Sequence, residues 1–448
     1  MVSRKFCVII AGGGPTGLTL AHSLTKAGIE FVVLERRPTI VEDVGASLVI
    51  SPESLRVYSQ LGLLDRLYKI GAVLKGINTV TQDGTPYNKS LALSLLKDTA
   101  GCLSFIFHRA HLVEVLYDSL DDTAKSRVFT NKKVVDITSG DNGARVRCAD
   151  GTVYDGTIVV GADGAHSRVR KSMRTLALEE SPTAEINPNQ PWQYEYRMTW
   201  FTFPHGPNIE CDVSIEAHGT DSSAQFMSGN NQSYMFVYER LTEPASERVF
   251  YTAEDVDEFA EKLGHLTLKP GFTVKDAYAL KYHAGMVNLG EGMLEHWSWK
   301  RLVLVGDAAH MLTPNVGRGL NNGIQDAVAL TNELRRLFAS DEDHPVTTTE
   351  PSLEALGEVF ARYQSARQEV FLSDLSFSGT ATRLCAWKSW SFWFIDRWIF
   401  PMVPAWFETW FFSWLYCAPI SRGLALDFLK GEEPFSGNLL WAHPILKS

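Results

Sequence analysis

A glycine-rich turn near the N-terminus has the composition and spacing of a nucleotide-binding loop. The residues GGGPTG at 12–17 fit the pattern GxGxxG and stand between an apolar run and a segment with helical periodicity. In such a turn Gly12 allows the tight bend, Gly14 lets a pyrophosphate approach, and Gly17 lets helix and strand pack closely. Glu35 ends the next apolar run, 21 residues after Gly14, where its carboxylate can accept hydrogen bonds from ribose hydroxyls. The pattern predicts a βαβ unit that binds a dinucleotide.

Two further motifs indicate which dinucleotide is bound. The sequence GADGAHSRVR at 161–170 resembles the DG motif of the single-component flavoprotein monooxygenases related to p-hydroxybenzoate hydroxylase. The sequence GDAAH at 306–310, followed by Pro314, resembles the GD motif of the same family. All three motifs occur in the family's order, and the resemblance covers about residues 5–370. The resemblance implies noncovalent FAD, with NAD(P)H as a transient reductant and O₂ as co-substrate.

The resemblance also assigns roles to individual residues. It implies that Glu35 binds the AMP ribose, Arg109 approaches the FAD chain and Asp307 binds the ribityl hydroxyls. The further cofactor-binding residues that it implies are Gly12, Gly14, Gly17, Val49, Asp163, Gly319, Leu320 and Asn321. Reduced flavin is anionic, so a glycine-rich helix N-terminus would stabilise it.

Two motif residues leave alternatives open. Asp163 and Arg168, in the DG motif, are candidate contacts for NAD(P)H, but Arg168 could equally form a solvated basic face with Arg170. His310, in the GD motif, could bind the flavin covalently or serve as a general base, but we expect it to pack and to form hydrogen bonds.

Composition excludes several classes of function. The formal net charge of −10 and the lack of a basic, aromatic-interleaved stripe argue against a nucleic-acid partner. The six cysteines form no CxxC pair and no Cys/His cluster at zinc spacing, so we expect reduced core residues and no metal site. The apolar run at 6–11 leads directly into the glycine turn, which predicts a first strand and no signal peptide.

The predicted fold is α/β, a Rossmann-like FAD-binding domain with an inserted β-sheet substrate domain and an aromatic-rich helical tail. Residues 209–218 alternate strictly between apolar and polar types, which predicts a strand with one buried and one wetter face. The predicted ranges are 1–185 and 286–370 for the FAD-binding domain, 186–285 for the substrate domain, and 371–448 for a membrane-associating tail.

Two residues of the inserted sheet are candidate catalytic groups. Arg197 lies in an apolar aromatic stretch and needs a partner, and Tyr234 is on a predicted neighbouring strand. Some relatives that hydroxylate phenols hold the phenolate with an Arg and a Tyr from this sheet. The register that would aim these side chains at the flavin cannot be read from the sequence.

The C-terminal segment concentrates tryptophan, since seven of the twelve lie between Trp387 and Trp414. Trp406, Trp410 and Trp414 share one helix face by their spacing. Tryptophan prefers the membrane interface, so short interfacial helices at the cytoplasmic face of the endoplasmic reticulum are expected. The alternative is that these aromatics cover the flavin domain or a dimer contact.

Such a tail resembles that of fungal monooxygenases that epoxidise prenyl chains of indole diterpenes and meroterpenoids. The expected function is oxygen transfer to the isoprenoid chain of a hydrophobic small molecule. A phenol or indole ring hydroxylase and a flavin dehydrogenase are the alternatives.

Overall fold

The chain forms an α/β fold, and the computed structural model describes residues 6–43, 45, 47–90, 92–205, 213–338 and 351–447. The strands, numbered in chain order, are β1 (Cys7–Ala11), β2 (Glu30–Leu34), β3 (Ser47–Ile50), β4 (Ala72–Leu74), β5 (Gly76–Thr81), β6 (Pro86–Ser90), β7 (Ser104–His108), β8 (Val128–Phe129), β9 (Val134–Gly140), β10 (Gly143–Cys148), β11 (Val153–Gly156), β12 (Ile158–Gly161), β13 (Gln193–Pro204), β14 (Val213–Gly219), β15 (Ser222–Ser228), β16 (Gln232–Ala245), β17 (Thr267–Lys269), β18 (Phe272–Thr273), β19 (His283–Met293), β20 (Ser298–Trp299), β21 (Leu302–Leu304) and β22 (His310–Met311). The α-helices are α1 (Pro15–Ala27), α2 (Pro52–Gln60), α3 (Leu64–Ile70), α4 (Leu95–Thr99), α5 (Arg109–Asp118), α6 (Asp122–Lys125), α7 (Arg168–Glu180), α8 (Ala253–Lys262), α9 (Val274–Tyr278), α10 (Gly319–Leu337), α11 (Leu353–Cys385), α12 (Trp390–Phe394), α13 (Ala405–Phe412) and α14 (Ala418–Ser421).

The first domain is built on a six-stranded sheet in the order β20-β21-β12-β1-β2-β8. All neighbouring strands in it are parallel except β20 and β21. Val8, Ile9 and Ile10 of β1 are fully buried, as a central parallel strand requires. The unit β1-α1-β2 confirms the predicted βαβ opening, with the glycine turn at the carboxyl end of β1 and Glu35 just after β2.

The second sheet has eight strands in the order β22-β19-β13-β16-β15-β14-β5-β6. The sequence places this sheet within 186–285, but β5 and β6, from residues 76–90, also join it. Strand β19 continues to Met293, beyond the predicted boundary. The sheet is therefore assembled from separate stretches of chain, because β14 pairs in parallel with a strand from the predicted first domain.

The two faces of the eight-stranded sheet are covered differently. One face, here called the helix face, packs Phe201, Phe203 and Val237 against α8 and α9. The other, here called the domain face, turns Met198 and Phe236 toward the first domain and the C-terminal segment.

The alternation predicted for 209–218 is present in β14, while residues 209–212 lie outside the described residues. The polar members Ser214 and His218 are buried rather than wet, which corrects the expectation of a solvated face. They lie on the domain face, and the C-terminal segment covers His218.

The C-terminal segment begins inside one long helix. Helix α11 runs unbroken from Leu353 to Cys385, across the predicted boundary between 370 and 371, and packs on α10. After it come α12, α13 and α14, linked by π-helical turns at Ile395–Ile399 and Ser413–Cys417. Ala386, Tyr416 and Cys417 join the same apolar cluster as Phe236. The predicted helical, aromatic-rich tail is confirmed, and part of it forms a wall of the core.

Candidate active site

A cavity of about 300 Å³ lies between the glycine turn, the start of α10 and the domain face of the eight-stranded sheet. Its volume is at the lower end of the range typical of small-molecule sites. The predicted site residues that line it are Gly14, Val49, Arg109, Asp307, Gly319 and Leu320. The fold thus brings together residues that lie far apart in the chain.

The glycine turn is shaped by close backbone approaches. Gly12 has φ +108°, and a Cβ there would lie 2.5 Å from the carbonyl oxygen of Ala162. A Cβ on Gly17 would lie 2.0 Å from the carbonyl oxygen of Gly12. A Cβ on Gly14 would meet nothing within 4 Å, because Gly14 opens on the cavity. Gly12 and Gly17 are therefore needed for the turn itself, and Gly14 leaves room for a bound group.

Glu35 stabilises this turn from the end of β2. One carboxylate oxygen accepts the N–H of Gly13 at 2.8 Å, and the other accepts the N–H of Arg37 at 3.0 Å. Each carboxylate oxygen has a further acceptor site. The predicted ribose contact is thus compatible with the position of Glu35.

Asp307 lies on the wall of the cavity, where protein surrounds its carboxylate while the side chain stays exposed to the open space. Burial raises the pKa of Asp307, although His310 and Arg109 oppose that shift. The preceding residue, Gly306, has φ +59° and donates its N–H to the buried Asp326 at 2.8 Å. Asp307 is therefore an acceptor held at a fixed place on the cavity wall, where ribityl hydroxyls could reach it.

His310 supports the turn that carries Asp307 and does not itself line the cavity. Its Nε2 lies 2.7 Å from a carboxylate oxygen of Asp326, and its ring stacks on Phe371 at 4.0 Å between centroids. Arg367 binds the second oxygen of Asp326 at 2.9 Å. His310 is buried within this network, which agrees with the packing role expected for it.

The start of α10 forms the opposite rim of the cavity. Gly317, with φ +66°, ends a short turn, and Gly319 begins the helix, so the first N–H groups of α10 lie beside the cavity without a partner inside the helix. Asn321 does not line the cavity, because its side chain binds the backbone of Val49, Ser51 and Gly317. It acts by fixing Val49 against the helix start.

Asp163 and Arg168 lie beside the cavity rather than in it. One oxygen of Asp163 accepts the N–H groups of Arg168 and Val169, so this side chain caps α7. Its second oxygen is buried and has no partner among the described residues. Arg168 is exposed and donates to the carbonyl oxygen of Val135. Asp163 thus positions Ala162 and Gly164, which do line the cavity.

The amino-acid sequence of this chain is similar to those of known proteins. Residues 5–342 match the family described as FAD binding domain. The FAD-dependent monooxygenase penE of Penicillium thymicola is 31% identical over 96% of this chain and 88% of its own length. The chain belongs to this family of FAD-dependent monooxygenases. Another member, srdH of Neurospora crassa, is 31% identical over 98% of this chain and 99% of its own. The match to verC1 of Penicillium polonicum covers 86% of this chain and 48% of that longer protein.

Solved structures agree on the fold of this monooxygenase. HpxO of Klebsiella pneumoniae, complexed with FAD and uric acid, has a TM-score of 0.72 at 18% identity, covering 93% of this chain and 96% of that one. PqsL of Pseudomonas aeruginosa has a TM-score of 0.65 at 21% identity, covering 86% and 97%. At these identities the likeness concerns the fold alone.

The residues of this monooxygenase fit FAD. Gly14 leaves open space at the turn, Asp307 offers an acceptor that faces the cavity, and the start of α10 offers backbone donors. Glu35 would hold the adenosine end, and Asp307 with Arg109 would hold the chain toward the ring.

The two predicted catalytic residues do not line the cavity. Arg197 lies on the helix face, where it binds Glu239 at 2.6 Å and covers the ring of Phe259. Tyr234 lies on the domain face but is buried beyond the cavity, where it stacks on His108. Burial raises the pKa of Tyr234 to about 12. Arg197 faces away from the cavity because neighbouring residues of a strand point to opposite faces.

The sheet contributes four other residues to the cavity, and sequence reasoning missed them. They are Gln225, Met227, Phe236 and Tyr238, two each from the neighbouring strands β15 and β16. The amide nitrogen of Gln225 donates to Glu216 at 2.8 Å, and its oxygen accepts from the Tyr238 hydroxyl at 3.4 Å. The aromatic residues near Tyr234 signalled the right strand, and alternation would then have extended the search to Tyr238.

Proposed function

We propose that this monooxygenase uses NAD(P)H and O₂ to epoxidise the isoprenoid chain of a fungal meroterpenoid or indole diterpenoid intermediate. FAD, when bound, supplies the oxygen-activating chemistry. The protein's part is to bind the chain, to orient one double bond and to exclude water.

The lining of the cavity is the observation that carries this proposal. Among the described residues that line it, the titratable groups are Arg109, Asp307 and Tyr238. Arg109 and Asp307 lie on the flavin side, which leaves Tyr238 as the titratable group of the sheet wall. Burial raises the pKa of Tyr238 well above its usual range, so it stays a neutral phenol. An alkene needs no deprotonation before oxygen transfer, whereas a phenol gains reactivity from it. The wall therefore favours an alkene.

Apolar side chains make up much of the remaining wall. Met227 and Phe236 come from the sheet, while Leu48, Leu312 and Leu320 come from the first domain. This lining suits a hydrocarbon chain, and Gln225 with Tyr238 offers one polar point for a head group.

The experiment supplies the purified protein with FAD, NADPH and O₂ and either a farnesylated phenol, the same phenol without the chain, or indole. The expected product is one oxygen heavier, carries label from ¹⁸O₂ and has the oxygen on the isoprenoid chain. Ring oxygenation of the phenol or indole would establish the hydroxylase alternative. Product with two hydrogens fewer and no added oxygen would establish a dehydrogenase.

We also propose that the C-terminal segment binds the cytoplasmic surface of the endoplasmic reticulum membrane. Between residues 387 and 414 the acidic groups turn inward, since Asp396 is buried and Glu408 accepts from Ser90. Its large apolar groups turn outward, with exposures between 53% and 78%: Trp390, Trp398, Met402, Trp406, Trp410 and Trp414. Among the described residues no helix is long and apolar enough to cross a bilayer. Interfacial contact by tryptophan accounts for this arrangement.

Flotation with vesicles of phosphatidylcholine and phosphatidylinositol tests this attachment. We expect the wild type to float and the variant Trp406→Ser/Trp410→Ser/Trp414→Ser to remain at the bottom. Phe250→Ser is the matched control, because Phe250 is 74% exposed but lies outside the segment. Flotation that is equal for all three proteins would assign the tryptophans to another contact.

A further inference from the structure

Three side chains with metal-binding atoms meet between β14 and the end of α11. Glu216 and His218 point from the domain face of β14, and Cys385 is the last residue of α11. One carboxylate oxygen of Glu216, Nε2 of His218 and Sγ of Cys385 all lie within 4.8 Å of one another. His218 and Cys385 are buried, and Glu216 is nearly so. These three residues are here called the Glu-His-Cys cluster.

The spacing within the cluster matches a tetrahedral zinc ion. Zinc bonds of about 2.0–2.1 Å to nitrogen, about 2.0–2.2 Å to oxygen and about 2.3 Å to sulfur give N···O edges of about 3.3 Å and S···O edges of about 3.6 Å. Nε2 of His218 lies 3.3 Å from the Glu216 oxygen, and Sγ of Cys385 lies 4.0 Å from it. A shift of about 0.4 Å in Cys385 would bring the S···O distance to the value expected around zinc.

The surroundings of the cluster orient its members as ligands. Nδ1 of His218 lies 2.9 Å from the buried carboxylate of Asp396, which leaves Nε2 facing Glu216 and Cys385. Metal-binding histidines usually have a carboxylate partner of this kind on the other ring nitrogen. Gln225 donates to the second oxygen of Glu216 at 2.8 Å and so directs the first toward the cluster. Both partners needed to fix His218 and Glu216 are therefore in place.

We propose that Glu216, His218 and Cys385 bind one Zn²⁺, which fastens the end of α11 to the eight-stranded sheet. Thiolate, imidazole and carboxylate together are a donor set that zinc favours. Water would fill the fourth position. The ion would hold Gln225 through Glu216 and would hold the C-terminal segment through Cys385 and Asp396. Its role is structural, and it is separate from the flavin.

The test measures zinc directly and needs no substrate. Holoenzyme is dialysed against a chelator and then titrated with ZnSO₄ in competition with a chromophoric chelator. We expect one Zn²⁺ per chain for the wild type and at least about a hundredfold weaker binding for Cys385→Ser and for His218→Gln. Cys417→Ser is the matched control, since Cys417 is also a buried thiol of this segment but contacts Thr99. It should bind zinc as the wild type does.

Cobalt gives a second readout that a change in stability alone would not move. Co²⁺ in the wild type should show the thiolate charge-transfer band and the intense visible bands of a tetrahedral site. Glu216→Gln keeps a polar side chain of the same size, so it can replace Cys385→Ser in the metal-binding measurements if that variant does not fold. A wild type that binds neither metal, or variants that bind as tightly as the wild type, would overturn the proposal. His218 would then be a protonated bridge between Glu216 and Asp396. Neither result bears on oxygen transfer.

Discussion

The cavity has two walls that are made in different ways. The flavin-side wall is built around tight backbone turns, with bends at Gly12 and Gly317 that have positive φ. The sheet-side wall is made of side chains, from Gln225 to Tyr238, that stand on a regular strand pair. Adding a single side-chain atom to a tightly packed turn disrupts the whole turn, because the backbone of one residue cannot shift without its neighbours. A side-chain wall changes step by step, so we expect it to set which substrate is taken.

The strongest test of the backbone wall is Gly17→Ala. Its added Cβ would lie 2.0 Å from the carbonyl oxygen of Gly12, and a backbone atom cannot give way cheaply. We expect a loss of about 3 kcal/mol or more in the free energy of unfolding, even without FAD. Gly14→Ala is the contrast, because it meets nothing in the protein and should lower only FAD affinity. Chemical denaturation of the two apoproteins measures the difference, and equal stability would show that the turn tolerates the added atom.

The next largest effect is expected for Asp307→Ala. Removing this acceptor leaves ribityl hydroxyls unpaired and should cost about 1–3 kcal/mol, or roughly 5- to 150-fold in the Kd of FAD. Titration of apoprotein with FAD measures this change. Asp307→Asn keeps an acceptor and should recover part of the affinity. Unchanged binding by the alanine variant would move the ribityl chain away from Asp307.

A smaller and selective effect is expected for Tyr238→Phe in the side-chain wall. The hydroxyl contributes one hydrogen bond, so KM for a farnesylated phenol should rise by about 2- to 12-fold with FAD affinity unchanged. The folded pKa of Tyr238 is raised, so this phenol stays protonated through neutral pH and above. The pH profiles of oxygen transfer by wild type and variant should therefore have the same shape. A basic limb that disappears in the variant would show that Tyr238 acts as a proton acceptor.

The smallest effects are expected for Arg197→Lys and Tyr234→Phe. Arg197 lies behind the wall on the helix face, and Tyr234 is buried beyond the cavity. Each should leave KM and kcat within about twofold of the wild type, since changes away from the site seldom exceed about 0.5 kcal/mol. A tenfold loss from either would mean that substrate reaches farther along the sheet than the cavity does.

The same contrast explains how far the sequence alone could go. GGGPTG, Glu35 and Asp307 are recognisable because local backbone geometry demands those residue types at fixed spacing. Gln225 and Tyr238 carry no local signature, because their place depends on the pairing of β15 with β16. The face that Arg197 occupies could not be predicted, because a change of one residue in register reverses the face.

The Glu-His-Cys cluster is even harder to predict from the sequence than Gln225 and Tyr238. Zinc spacing is recognisable when ligands share a loop, but 167 positions separate His218 from Cys385. The polar residues of β14 were expected to face water. Alternation, however, shows only that the two faces of a strand differ. It does not show what covers each face.

Helix α11 has a practical consequence for anyone who shortens the chain. It is 33 residues long, so it forms a rod of about 50 Å that begins on the flavin domain and ends at Cys385. Removing the C-terminal segment at residue 370, to obtain a protein that is easier to purify, would cut this rod in the middle. The missing half includes Asp374, which binds the buried Arg318 at 3.2 Å beside the start of α10. In the truncated enzyme the buried guanidinium of Arg318 would keep Glu53 but lose Asp374. The aromatic-rich C-terminal segment therefore cannot be removed as if it were a purification tag.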